Sequence, residues 1–176
     1  MNHQDHVNLI KKGILHTGGV WADLGSGEGA FTLALRDVAG SDVGIYSIDK
    51  DEESLEIQRQ HLVEKFPHSH ITYLATDFTK PLNLPPVDGI IMANSLHYVQ
   101  DKVPLLESLR ACIKPGGVFI IVEYNVDSGN MWVPYPLSFS SFQSVMKTAH
   151  YKDPKLLATI PSHFLQEIYS AIAYAH

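Results

Sequence analysis

The chain has 176 residues, 45% of them hydrophobic, and a net charge of −6; that fits a single domain over 1–176 with a sizeable core and excludes a disordered composition. The acidic balance without a basic run argues against DNA or RNA as a partner, and the lone Cys112 excludes an internal disulfide and a cysteine zinc cluster. The polar start Met1–His6 lacks a signal-peptide stretch and no apolar run reaches membrane-span length, so the expectation is a soluble, cytoplasmic protein without a membrane partner.

Residues 1–19 are predicted to hold one short helix. Val7, Leu9, Ile10, Ile14 and Leu15 recur at a loose helical spacing, which Gly13 interrupts before the Gly18-Gly19 break. The segment is long enough for one helix leaning over a site, not for a large lid. Val20-Trp21-Ala22-Asp23-Leu24 then reads as an apolar strand, followed by a turn with Gly25, Gly27 and Gly29 and by the start of a helix. Glycines there let the backbone bend and approach a ligand closely, and the helix points its dipole end into the turn, which suits a carboxylate or a phosphate. Gly25, Gly27 and Ala30 also satisfy the looser dinucleotide fingerprint.

Phe31, Leu35 and Val38 continue the helix to Gly40, and Val43–Ile48 forms a second strand ending at Asp49 and Lys50. An acidic group at that strand end can accept both hydroxyl protons of a ribose. Glu52 and Glu53 suit the N-terminus of a third helix, with Leu55, Leu62, Val63 and Phe66 inward and Pro67 stopping it. Ile71–Ala75 is a third strand, followed by Asp77 and Phe78. A carboxylate there can accept an adenine amino group while its apolar neighbour packs on the ring; an Asx turn towards Pro81 is the plainer reading.

Val87–Asn94 is nearly continuous in apolar residues, as a central parallel strand should be. Ser95-Leu96-His97-Tyr98 follows, and Asp101 is placed to cap a helix whose buried stripe is Val103, Leu106, Leu109 and Ile113. Lys114-Pro115-Gly116-Gly117 breaks the chain ahead of the strand Val118–Tyr124. Strict alternation of strand and helix implies a parallel sheet with helices on both faces. Residues 125–150 hold a loop with Trp132 and Tyr135 and then a helix from Phe139 to Ala149. Two final strands, Lys155–Ile160 and Glu167–Ala175, are separated by a turn at Pro161 and Ser162, with a helix as the rival for the last segment.

Asp23 to Gly29, Asp49, Asp77, and the stretch from Asp88 through Asp101 to Lys114-Pro115-Gly116-Gly117 occur in one order. Together they resemble the class I S-adenosylmethionine-dependent methyltransferases over about the first 125 residues, closest to their small-molecule group. The resemblance implies an α/β fold: a three-layer, Rossmann-like, doubly wound sheet of seven strands in order 3-2-1-4-5-7-6, strand 7 antiparallel. A terminal hairpin follows from that fold. The resemblance further implies S-adenosyl-L-methionine as cofactor and S-adenosyl-L-homocysteine as product. Gly25, Gly27 and Gly29 would line the methionine part, Asp49 would hold the ribose, Asp77 and Phe78 the adenine, and Asn94 the methionine amino group or the methyl, with Asp23 and Lys50 also among the cofactor-binding residues. The loop Asn94-Ser95-Leu96-His97 departs from the Asn-Pro-Pro-aromatic form that resembles enzymes methylating amide or exocyclic amino nitrogens.

A sulfonium carries an already activated methyl group, so the protein has mainly to align an acceptor and exclude water. A base is needed only when the acceptor must lose a proton. His97, just past a central strand, is the candidate base, with packing on the cofactor as its other reading. Tyr98, Tyr124, Trp132 and Tyr135, together with His97, are candidate walls of an acceptor pocket. His61, His68 and His70 lack a carboxylate or second cluster nearby, so no metal is expected. The expected partner is a small-molecule acceptor, and the expected state a monomer or homodimer. Two other readings stay open: an NAD(P)-dependent oxidoreductase, and a non-catalytic S-adenosylmethionine-binding partner subunit.

Overall fold

The computed structural model describes residues 1–176. Its strands are β1 Val20–Leu24, β2 Gly44–Asp49, β3 His70–Ala75, β4 Val87–Ala93, β5 Ile113–Tyr124, β6 Lys152–Ser162 and β7 Gln166–Tyr174. Its helices are α1 His3–Ile10, α2 Ala30–Ala39, α3 Glu52–Lys65, α4 Lys102–Cys112 and α5 Phe139–Thr148. The sheet order is β3-β2-β1-β4-β5-β7-β6, with β7 antiparallel to both neighbours and the first five strands parallel. Order and orientation are those expected. No helix is long and apolar enough to cross a membrane.

Side chains along the central strands alternate between two cores, as strand geometry requires. Leu24, Ile90, Met92, Phe119 and Ile121 join Leu106, Leu109, Phe142 and Met146 under α4 and α5. Trp21, Ile91, Ile120 and Val122 join Leu9, Ile10, Ala34 and Leu35 under α1 and α2. The strands read as unbroken apolar runs because both of their faces are covered. Ser170 donates from its hydroxyl to the carbonyl of Leu9 at 2.6 Å, tying β7 to α1.

Several local expectations need correction. Val63 is exposed and Phe66 only half-buried; the buried positions of α3 are Leu55, Gln58 and Leu62. Gln58 replaces an apolar residue because its amide bonds the hydroxyl of Ser47 at 2.8 Å beneath the glycine turn. Asp101 occupies the cap of α4 without a side-chain capping bond, and Ile113 belongs to β5 rather than to that helix. Lys114–Gly117 lies inside the span of β5, where the register against β4 jumps from Val87↔Ile113 to Gly89↔Val118. Pro161 and Ser162 are paired in β6, and the turn comes after them. A proline is tolerated there because β6 is an edge strand, with one side free of ladder bonds.

Candidate functional site

The carboxyl ends of β1, β2, β3 and β4 surround a cavity of about 580 Å³. Its walls include Gly25, Asp49, Lys50, Asp77, Phe78, Asn94 and Tyr98, all expected from the sequence, and Asp51, Ser54, Thr79, Ser95 and Val99, which were not. Chain reversal between β1 and β4 opens a crevice at this edge, the usual ligand position in open α/β sheets. A second hollow of about 360 Å³ lies near the opposite end of the strands, walled by Gly18, Gly19, Trp21, Asp88 and Gly116. Asp88 there is held by Lys114 at 2.9 Å and by the Val20 amide at 2.7 Å. The larger cavity holds the unpaired acceptors and lies at the topological switch.

The glycine turn is rigidly tied. The amides of Gly25 and Ser26 both donate to the Ile48 carbonyl, at 2.8 and 3.1 Å, and the Gly27 amide donates to Asp49 Oδ2 at 2.8 Å. A Cβ on Gly25 would overlap Ser95, whose hydroxyl holds the Leu24 carbonyl at 2.7 Å; only glycine fits between β1 and the loop after β4. Gly29 is buried with φ of 87°, and a Cβ there would collide with Gln58. Gly27 and Gly29 are therefore not in the cavity wall. Gly29 seats the turn on α3, while Gly27 is held by Asp49.

Asp49 also accepts the Asp51 amide at 3.0 Å, which fixes its carboxylate at the cavity edge with acceptor capacity to spare. Asp77 Oδ1 accepts the hydroxyl and amide of Thr79, at 2.7 and 2.9 Å, and those bonds hold its carboxyl below the usual range. Its Oδ2 has no partner in the chain. Asp77 makes the Asx turn and also lines the cavity. Asn94 stands at the end of β4 with φ of 52°, and its Oδ1 is buried without a hydrogen-bond partner. A buried unpaired acceptor beside a cavity marks a place where a donor from a ligand fits.

Asp23 lies outside the cavity wall. It is 1% exposed, accepts the Thr32 hydroxyl at 2.6 Å, and is pushed up to about 7 by burial, with the charge of Asp49 adding and Thr32 opposing. It supports the turn from below.

His97 also lies off the cavity wall and is 3% exposed. Its ring packs between Tyr98 and Tyr124, with centroids 4.3 and 6.4 Å away. Nδ1 lies 2.8 Å from Oε2 of Glu123, and the His97 amide donates to Oε1 at 3.1 Å. Glu123 is fully buried inside the apolar run of β5. That lone carboxylate directly after Val118–Val122 was the signal that could have revealed it, since a buried charge must be paired. Lys102 is also buried. Its ammonium donates to the carbonyls of Val99 and Tyr135, and burial lowers it against the pull of Glu123. Tyr135 in turn donates its amide to the His97 carbonyl at 3.0 Å, fastening the loop after β5 to the turn after β4. Trp132 and Tyr135 are exposed, 64% and 40%, and neither lines the cavity. His61, His68 and His70 form no metal-binding group with other side chains.

A family described as a methyltransferase domain matches residues 15–171. The chain is 26% identical over 114 residues to the ubiquinone/menaquinone biosynthesis C-methyltransferase UbiE of Coxiella burnetii, covering 63% of this chain and 45% of that protein. It is 31% identical over 117 residues to acetylserotonin O-methyltransferase of Mus musculus, covering 62% of this chain and 29% of that protein. The chain thus spans less than half the length of these relatives. A S-adenosylmethionine-dependent methyltransferase structure from Aquifex aeolicus superposes with a TM-score of 0.71 at 19% identity, over 98% of both chains.

Proposed function

The chain belongs to the methyltransferase domain family, and from that membership we propose that it transfers the methyl group of S-adenosyl-L-methionine, in line, to a small-molecule acceptor. One observation carries the reading: the carboxylates of Asp49 and Asp77, Phe78 and the unpaired Asn94 Oδ1 meet in one cavity beside Gly25. Those groups match a ligand with an ammonium at one end, a diol in the middle and an aromatic base at the other. The donor, when bound, supplies a methyl group already activated on a sulfonium.

The residues of this chain do the rest. Asn94 takes the ammonium, Gly25 leaves room for the amino-acid backbone, Asp49 with Lys50 grips the diol, and Asp77 and Phe78 hold the base. Asp23, Gly27 and Gly29 keep the turn in shape. Residues 125–150 border the acceptor side, because their loop is fastened to His97. The relatives' names speak of C- and O-methyl transfer, which supports the reaction class without fixing the atom.

Calorimetry with S-adenosylhomocysteine and with NAD(H) tests this. We expect saturable binding of the first alone; binding of the nicotinamide alone would refute the assignment. Turnover of labelled methyl donor on a pooled acceptor set separates an enzyme from a binding subunit.

A further inference from the structure

The hollow of about 360 Å³ at the far end of the strands shares no wall residue with the larger cavity. Its size lies at the lower end of the ~300–1,000 Å³ typical of small-molecule sites. It is walled by the stretch after α1, by β1, by the start of β4, by the irregular start of β5 and by the end of β7. Beside it the pairing of β4 with β5 jumps from Val87↔Ile113 to Gly89↔Val118, so β5 carries surplus chain next to Asp88.

Two Gly-Gly pairs meet at Asp88. A Cβ on Gly19 would lie 2.9 Å from the Asp88 carboxylate, and one on Gly117 would lie 2.7 Å from the Asp88 carbonyl. Those two glycines let the chain pass. Gly18 and Gly116 are different: an added Cβ would meet nothing within 4 Å, so their backbone borders open space. Bare backbone makes a flat wall, and Val118 and Ile172 add an apolar one.

Two polar groups in this wall are left unpaired. Asp88 commits Oδ2 to Lys114, at 2.9 Å, and to the Val20 amide, at 2.7 Å, while Oδ1 takes no bond from the chain. Trp21 is 5% exposed, and the outer edge of its benzene ring lies against Gly89. The indole Nε1 is on the other side of that ring system, has no acceptor in the chain and is not sealed from solvent. A nearly buried N–H that the fold leaves unpaired marks a place for an acceptor on a ligand. Lys114 balances the charge of Asp88. An anion would therefore face the carboxylate and a cation the ammonium, and neither is favoured.

We propose that this hollow is a second ligand site, for a flat, uncharged cyclic amide of the oxopurine or oxopyrimidine kind. A ring N–H donates to Asp88 Oδ1, and a ring carbonyl accepts from Trp21 Nε1. The site stands independently of the methyltransferase reading, since its walls are its own.

Hypoxanthine is the probe, because it is flat and neutral, carries both groups, and lacks the amino group that Asp77 would hold in the larger cavity. The chain has two tryptophans, so in Trp132→Phe the tryptophan fluorescence comes from Trp21 alone. We expect a saturable change of that signal with hypoxanthine, and binding at least about 10-fold weaker for toluene, phenethylammonium and benzoate. Asp88→Asn in the same background puts an amide N–H where the free acceptor stood and should weaken hypoxanthine about 10-fold. Trp21→Phe, followed by calorimetry, should do the same, and Asp77→Ala should change nothing. Urea unfolding midpoints show which variants are folded, and Trp21→Phe carries the test if Asp88→Asn is not. Equal or tighter binding of any of the other three probes overturns the ligand class. The site itself is overturned if hypoxanthine gives no saturable change, or if Asp77→Ala abolishes the change while Asp88→Asn and Trp21→Phe leave it intact.

Discussion

Replacing Asp23 by Asn tests the claim that a carboxyl is held protonated beneath the glycine turn. The folded protein raises this group from 3.8 to about 7, first through burial and then through the charge of Asp49. At about 1.4 kcal/mol per pH decade, that displacement sets a ceiling near 4 kcal/mol. Relaxation around buried charges reduces the realised figure to about 2 kcal/mol. The sign follows from proton counting. Between 3.8 and about 7 the folded state keeps a proton that the unfolded chain has lost, so stability falls as pH rises through this window and the loss is complete above it. Asn cannot titrate, yet its carbonyl can still accept the Thr32 hydroxyl that now lies 2.6 Å from Asp23. Its amide adds a constant offset, so the slope of the comparison is the readout. Urea unfolding of both proteins from about pH 4 to about pH 8 should show wild type losing about 2 kcal/mol relative to the variant. Parallel curves across that range would refute a protonated Asp23.

Three further outcomes follow from the same geometry. Asp49→Ala should weaken S-adenosylhomocysteine binding by about 1–3 kcal/mol in calorimetry, through lost bonds to the sugar and a loosened Gly27 amide; unchanged affinity would remove Asp49 from the site. Gly25→Ala forces a Cβ into Ser95 at a backbone φ of 74°, and should lower the unfolding free energy by about 1–3 kcal/mol; a thermal midpoint equal to wild type would show that the turn gives way easily. Phe142→Ala, at a fully buried position between Phe139 and Tyr169, should cost about 3–5 kcal/mol in denaturant titration, and a loss under 1 kcal/mol would mean that α5 is not part of the main core.

The parallel half of the fold was legible because its signals are local. Strands buried on both faces must be apolar throughout, and their ends at Asp23, Asp49 and Asp77 stand out against that background. The hairpin was legible only through the family resemblance: Ile168–Tyr174 is buried along its length between two neighbours, so its own pattern does not separate strand from helix. Pro161 misled for a related reason, since an edge strand tolerates a residue that a central strand would reject. In the site, cavity-facing acceptors were visible because they close strands. Glu123 stood out as a carboxylate closing an apolar run, but its pairing with His97 did not, because the two lie 26 residues apart and meet only across the sheet. Gln58 was hidden likewise, its hydroxyl partner Ser47 lying on another element.

The insertion of β7 between β5 and β6 bears on how the chain is made. A ribosome delivers β6 before the only strand that can dock it, and the Leu9 carbonyl of α1 waits for a hydroxyl donor 161 positions downstream. Until residues 166–174 emerge, the flank of β5 is an open edge and the first helix has an unfinished floor. Contacts of such long separation must close their loops before they repay them, which delays commitment to the native state until β7 has been made. Nascent chains arrested before and after that strand, and probed by brief protease exposure, read this timing directly.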